Sequence, residues 1–252
     1  MTTTQTQPTA AMLVIGDEIL SGRTKDANAV HLAERLTEAG IHLLEIRVVA
    51  DEAAAIVDAV RALSVRVDYL FTSGGIGPTH DDITAECVAE AMGATIGIRD
   101  DARAILERYY GSDGINDARL RMARIPEGAA LIENPVSQAP GFILGNVHVM
   151  AGVPAIFREM VAGVLPSLAG GPPTLSHSFR VGVPEGDLAA ALGKLAEAAP
   201  EVSIGCYPFY RNGLGCTLIL RASDPAALAQ AAEATRAMLT GFTSEIAETP
   251  PG

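Results

Sequence analysis

Apolar residues recur along this chain in two alternating rhythms. Residues 11–15, 41–50 and 67–72 are short apolar runs of the buried-strand type, and the stretches between them carry helical spacing. Ala29, Leu32, Ala33 and Leu36 fall on one helix face, which Asp26 or Asn28 can cap and Gly40 can stop. Ile56, Val57, Val60 and Leu63 mark a second helix, with Asp51 placed as its cap. Strands separated by amphipathic helices predict right-handed βαβ units and a mostly parallel sheet, an α/β fold.

The pattern continues with helices over 83–92, 100–110 and 116–123. Residues 131–134, 141–144 and 147–150 resemble strands, the last two joined by a tight turn at Gly145-Asn146. Gly152-Val153-Pro154 opens a helix running to residue 168, proline being tolerated in a first turn. Gly170-Gly171-Pro172-Pro173 then reads as a linker. Beyond it, strand 178–183, helix 185–198, strands 202–209 and 214–222 around Arg211-Asn212-Gly213, and a helix from Pro225 capped by Asp224 predict a small α+β domain of order β-α-β-β-α. The expected division is a tail at 1–10, a domain over 11–169, a second over 174–243 and a tail at 244–252.

Composition narrows the partners. The formal charge is -12, and Lys25 and Lys194 are the only lysines. Nucleic-acid binders carry a basic face, so DNA and RNA are excluded as expected partners. No apolar run reaches the roughly twenty residues of a membrane span. Residues 1–10 lack the basic and apolar segments of a signal peptide. Cys87, Cys206 and Cys216 show no metal-binding spacing and read as reduced core residues. A cytoplasmic protein is expected.

The chemistry gathers where a parallel sheet binds ligands, beyond the carboxyl ends of its strands. Gly16-Asp17-Glu18, Asp51 and the loop from Gly74 to Thr84 all fall at that edge. Gly74, Gly75 and Gly77 let a ligand approach the backbone, and the N-terminus of the following helix attracts phosphate. Pro78 stiffens the loop exit, and Thr79 and Thr84 offer hydroxyls. Asp81 and Asp82 would repel a phosphate unless a cation or a proton lies between them. One of the two can cap the helix, which leaves the other for chemistry. The loop therefore implies a phosphorylated ligand, a divalent cation (Mg²⁺ or similar), or both, with Asp17 and Glu18 as further oxygen ligands. It is neither a Walker A loop nor a dinucleotide fingerprint. His80 reads as a plain polar loop residue.

At these residues the chain resembles the N-terminal domain of competence/damage-inducible protein A (CinA), within the molybdopterin-binding MoaB/Mog domain superfamily. The resemblance runs through Gly16 to Gly22, Asn28, Val49-Ala50-Asp51, Gly74 to Thr84, Ile125 to Ala129, Asn134, Ala139 to Phe142 and Gly152-Val153-Pro154. The C-terminal part is similar to the α+β subdomain that follows in CinA proteins and to part of eukaryotic FAD synthase. What the resemblance implies is a three-layer α/β/α domain that binds a phosphorylated pterin or adenine nucleotide and assembles as a homo-oligomer. It implies ligand contacts from Gly16, Asn28, Ser137, Pro140, Gly141 and Gly152, added to the glycine-loop residues. It matches Asp51 and Asp82 to acidic positions that serve pterin-handling relatives, and Asp17 and Glu18 to a CinA-type pattern. Asp51, Asp81 and Asp82 are accordingly the candidate catalytic residues.

Three activities are compatible with the resemblance: metal-dependent pyrophosphatase action on ADP-ribose or FAD-type dinucleotides, binding without turnover, and adenylylation of molybdopterin. Four positions depart from the family pattern: Ser137-Gln138 stand for Gly-Thr, Ala151 for proline and Ile156 for glutamate.

Overall fold

The computed structural model describes residues 7–210 and 213–251, so the Arg211-Asn212 turn and residues 1–6 lie outside the described residues. The chain divides into two compact units at Gly171/Pro172.

In the first unit, strand β1 (Thr9–Ile15) lies between β2 (His42–Val49) and β3 (Tyr69–Ser73), parallel to both. It is apolar at nearly every position because both its faces are covered. Ala11, Leu13 and Ile15 point into one core and Ala10, Met12 and Val14 into the other. Between β1 and β2 come a single turn, α1 (Asp17–Leu20), and helix α2 (Asn28–Glu38); α3 (Ala53–Ser64) leads into β3 and α4 (Thr84–Met92) follows it. Strand β4 (Ile96–Ile98), helices α5 (Asp100–Tyr110) and α6 (Asp117–Arg121), and strand β5 (Arg124–Pro126) follow. Next come β6 (Ala130–Ile132), β7 (Gly141–Leu144), β8 (Val147–Met150) and α7 (Pro154–Val164).

The six-stranded sheet has the order β2-β1-β3-β8-β7-β6; its first four strands are parallel, and β7 and β6 add antiparallel. Helices α3, α4 and α5 pack on one face, and α2 and α7 on the other. That is the three-layer α/β/α arrangement expected. The Gly145-Asn146 turn forms, with Gly145 at φ 59°. Asn146 then secures it by donating its side-chain amide to the carbonyls of Ser64 (2.8 Å) and Val67 (2.9 Å).

Four local expectations are corrected. Asp51 does not cap α3, which starts after Glu52 without a side-chain cap bond. Neither aspartate of the glycine loop caps α4, whose N-cap is Ile83. The strand expected at 131–134 ends at Ile132, because Asn134 turns its side chain into the following loop. The tail boundary at 1–10 also shifts, since β1 starts at Thr9, where Asp68 accepts from the Thr9 amide (2.7 Å) and hydroxyl (2.8 Å).

The second unit runs β9 (Leu175–Val181), α8 (Glu185–Ala198), β10 (Ser203–Phe209), β11 (Gly215–Ala222), α9 (Pro225–Thr240) and β12 (Ile246–Thr249). Its antiparallel sheet has the order β10-β11-β9-β12, and Phe179, Val181, Leu218 and Leu220 form its core with Leu188, Leu228 and Leu239 of the helices. Asp224 caps α9 through the Ala226 amide at 2.9 Å.

Strand β12 replaces part of the tail expected at 244–252. It is held by charge more than by apolar contact. Glu248 meets His177 at 2.6 Å and takes two bonds from Arg236 (2.9 and 2.6 Å). The Arg236 guanidinium holds the Glu248 carboxyl at about 2, well below the ordinary carboxylate range. A depressed carboxylate stabilises the fold above its unfolded value and loses that contribution as acid protonates it. Glu248→Gln is therefore expected to cost about 1–2 kcal/mol at neutral pH, the low end reflecting solvent screening at Arg236. In thermal unfolding, the gap between variant and parent should close as pH falls from 4.5 towards about 2. A gap that persists at the acid end would show that the ion pair is not its cause.

Candidate functional site

The parallel strands deliver their carboxyl ends to one rim, and three backbone bonds close it. Gly16 donates to the Val49 carbonyl (3.2 Å), Gly74 to the Met150 carbonyl (3.2 Å) and Thr84 to the Gly75 carbonyl (2.9 Å). Residues distant in sequence thereby enclose a cavity of about 470 Å³.

Two of its glycines are required by close approach. Gly74 has φ +108°, and a Cβ there would lie 2.2 Å from the Ile15 carbonyl oxygen. Gly75 has φ +68°, and its Cβ would lie 2.1 Å from the Thr84 hydroxyl. The Thr84 hydroxyl is already committed to the Gly74 carbonyl at 3.0 Å, so it acts as a buried lock under the loop. Asp82 closes the loop from the other end, accepting from the Thr79 amide (2.8 Å) and hydroxyl.

The cavity wall brings together Glu18, Asp51, Asp81 and Asp82 with the backbone of Gly16, Gly74, Gly75, Gly77, Pro78 and Gly152, and with Ser137. Other expected site residues lie elsewhere. Asp17 is off the wall, and what it supplies is its amide, which donates to the Asp51 carboxylate at 2.9 Å. Thr79 and Thr84 bond within the loop. Asn28 is buried behind the rim, where its side-chain amide donates to the Ser73 hydroxyl and the Gly152 carbonyl, both at 2.8 Å. Its carbonyl oxygen has no partner among the described residues. Gly141 belongs to β7, where a Cβ would lie 2.3 Å from the Val149 carbonyl oxygen. Pro140 lines a narrow cleft beneath the glycine loop instead of the main cavity.

Sequence reading missed most of the apolar half of the wall: Ile15, Ile76, Met122, Ala139 and Val153. Isolated apolar residues in loops carry no periodic signal. Ile156 had a signal of another kind, as a departure from the family pattern in the first turn of α7. A second departure, Gln138, is the only non-glycine among the described residues with positive φ (63°). It sits in a loop knotted by Asn134. The Asn134 side chain accepts from the amides of Val136 and Ser137 (both 3.1 Å) and donates to the Ser137 hydroxyl (2.7 Å) and the Ala139 carbonyl (2.8 Å).

The electrostatics are one-sided. Among the described residues no Lys, Arg or His lines the cavity. Burial pushes the Asp51 carboxyl above its ordinary range, and the charges of Asp17, Glu18 and Asp81 push it further, against the Asp17 amide bond that lowers it. Among the described residues no group of three or more His, Cys, Asp or Glu is disposed to hold a metal ion by itself. The donor set still suits Mg²⁺, a hard cation that takes one or two carboxylates and completes its shell with water and substrate phosphate.

Fold and rim together define a molybdopterin-binding-type domain, and the comparisons agree. Residues 11–170 match the family described as "Probable molybdopterin binding domain", and residues 173–245 match "FAD synthase, middle domain". The chain belongs to the molybdopterin-binding MoaB/Mog family. Within it the chain is CinA-like. A "CinA-like protein" of Citrifermentans bemidjiense is 36% identical over 92% of this chain and 58% of its own length. One from Myxococcus xanthus is 32% identical over 77% of this chain and 50% of its own. The chain thus spans little more than half the length of these two curated relatives. A solved structure of "the protein CinA with unknown function" from Thermoplasma acidophilum is 35% identical, with a TM-score of 0.61 over 64% of this chain and 97% of that one. Among the described residues no helix is long and apolar enough to cross a membrane.

Proposed function

We propose that the protein is a metal-dependent pyrophosphatase acting on an adenine dinucleotide such as ADP-ribose or FAD. The carrying observation is the cavity wall, where Glu18, Asp51, Asp81 and Asp82 face an open loop of glycine amides with no basic side chain between them. Amides alone can hold a phosphate, but four carboxylates beside it call for a cation.

In this reading the amides of Gly75 and Gly77 and the first turn of α7 orient the pyrophosphate. Asp81 and Asp82, with Glu18 opposite, would hold Mg²⁺ or a similar ion, which supplies charge neutralisation and lowers the pKa of water. Asp51 would accept the proton of the attacking water, its hydrogen bond to the Asp17 amide fixing its orientation. Water adds to phosphorus, the bridging P–O bond breaks, and ADP-ribose yields AMP and ribose 5-phosphate. The apolar wall from Met122 to Ile156 would receive the ring at the other end.

The test is a hydrolysis screen of the purified protein with ADP-ribose and FAD, each with Mg²⁺, Mn²⁺ or a chelator. AMP release that needs the metal is expected. Ile156 on the wall favours a second reading, a module that binds a pterin or nucleotide phosphate without turnover. Calorimetric binding without hydrolysis under any metal would support that module and defeat the pyrophosphatase.

A further inference from the structure

The acidic cavity adjoins a cleft that carries two arginines beside Asp82 and Glu86. The narrow cleft beneath the glycine loop shares Gly75, Ile76, Gly77, Asp82 and Met122 with the cavity but adds Arg121 and Arg124. The two arginines differ in what they do with their charge. Arg124 is paired with Glu86 at 3.4 Å. Arg121 forms no ion pair among the described residues; its guanidinium donates to the main-chain carbonyl of Asp82 at 3.1 Å.

A plainer account is at hand, because Arg121 ends the five-residue helix α6, where a cation serves the helix dipole. A dipole role would leave the guanidinium in water. Instead its Nε is fully buried without a partner among the described residues, an arrangement that costs free energy and calls for a cause. The loop above supplies one. It must present amides to an anion while carrying two carboxylates, and no basic side chain on the cavity side offsets them.

We propose that Arg121 is a positioning residue for this site: it fixes the loop through the Asp82 carbonyl, and its uncompensated charge lets the glycine amides hold an anion beside the carboxylates. This rests on the phosphate-binding reading of the cavity, since Arg121 does not line it. It goes beyond that reading by assigning opposite effects on anions and cations. A positive charge behind the loop favours a phosphate and opposes a free metal ion in front of it, whereas a merely structural residue would weaken both together.

The test compares Arg121→Gln with Arg121→Lys in the full chain, using two probes: ADP-ribose with Mg²⁺ by calorimetry, and Mn²⁺ alone by electron paramagnetic resonance. Arg121→Gln should weaken ADP-ribose on the order of tenfold and tighten Mn²⁺ by about threefold, the size expected of one partly screened charge. Arg121→Lys, which keeps the charge, should stay within about threefold of the parent for both probes. Thermal unfolding of both variants checks that neither change in affinity comes from a loss of fold. Unchanged Mn²⁺ affinity in Arg121→Gln would overturn the proposal, as would equal losses for both probes. If the parent fails to bind ADP-ribose while Arg121→Gln still tightens Mn²⁺, the ligand reading fails and takes the anion half of the proposal with it, leaving only the effect of the Arg121 charge on cations.

Discussion

Gly74→Ala is expected to abolish ligand binding and to destabilise the N-terminal unit by about 3–5 kcal/mol. Two costs coincide at this residue. Its φ of +108° lies where an L side chain is strained, and the added methyl would sit 2.2 Å from the Ile15 carbonyl oxygen, inside any contact distance. Nothing nearby can yield cheaply. The Ile15 carbonyl belongs to the central strand, and on the far side Gly152 is so close that its own Cβ would lie 3.2 Å from the Gly74 Cα. Gly93→Ala is the internal control. Gly93 has φ +70°, but an added methyl there would meet nothing within 4 Å, so it should cost only the left-handed backbone penalty of about 1 kcal/mol. Urea unfolding of both variants checks the difference. Similar values would mean that the loop can move away from Ile15, and that the close approach is not what demands glycine.

Asp82→Asn should lower turnover on the order of 10²-fold or more while leaving the melting temperature nearly unchanged. The asparagine oxygen can still accept from the Thr79 amide and hydroxyl, so the loop closes as before. Only the negative charge towards the cavity is lost. Asp82→Ala removes both and should also loosen the loop, which hydrogen exchange at Thr79 would register. Undiminished AMP release by Asp82→Asn would remove Asp82 from the mechanism.

Layer order and rim were legible in the sequence because both are written in periodic signals. The apolar runs of β1 and β3 and the spaced leucines of α2 and α3 announce their own burial, and parallel strands place their following loops on one edge. Less legible was whatever depends on a single partner. Asp51 sits where a cap is expected, yet it turns across to the Asp17 amide; sequence spacing cannot choose between two donors of equal reach. Strand β12 has one half-buried apolar residue, Ile246, and is secured through Glu248 by Arg236 and His177, so no alternation marks it. Nothing in the sequence around Arg121 marks it, because its meaning lies in the carbonyl it meets. The residues of the apolar wall come from separate loops, and only the fold puts them side by side.

The bonds that close the rim join Gly16 to Val49 and Gly74 to Met150, and Asn28 reaches the Gly152 carbonyl. The cavity therefore does not exist until the chain from β1 through β8 has been gathered into one sheet, and no smaller fragment of the unit carries it. Any molecule that fills it reports on the whole unit at once: binding adds RT ln(1 + [L]/Kd) to global stability instead of firming one loop. A thermal-shift library can thus search for the natural ligand without an assay for its chemistry.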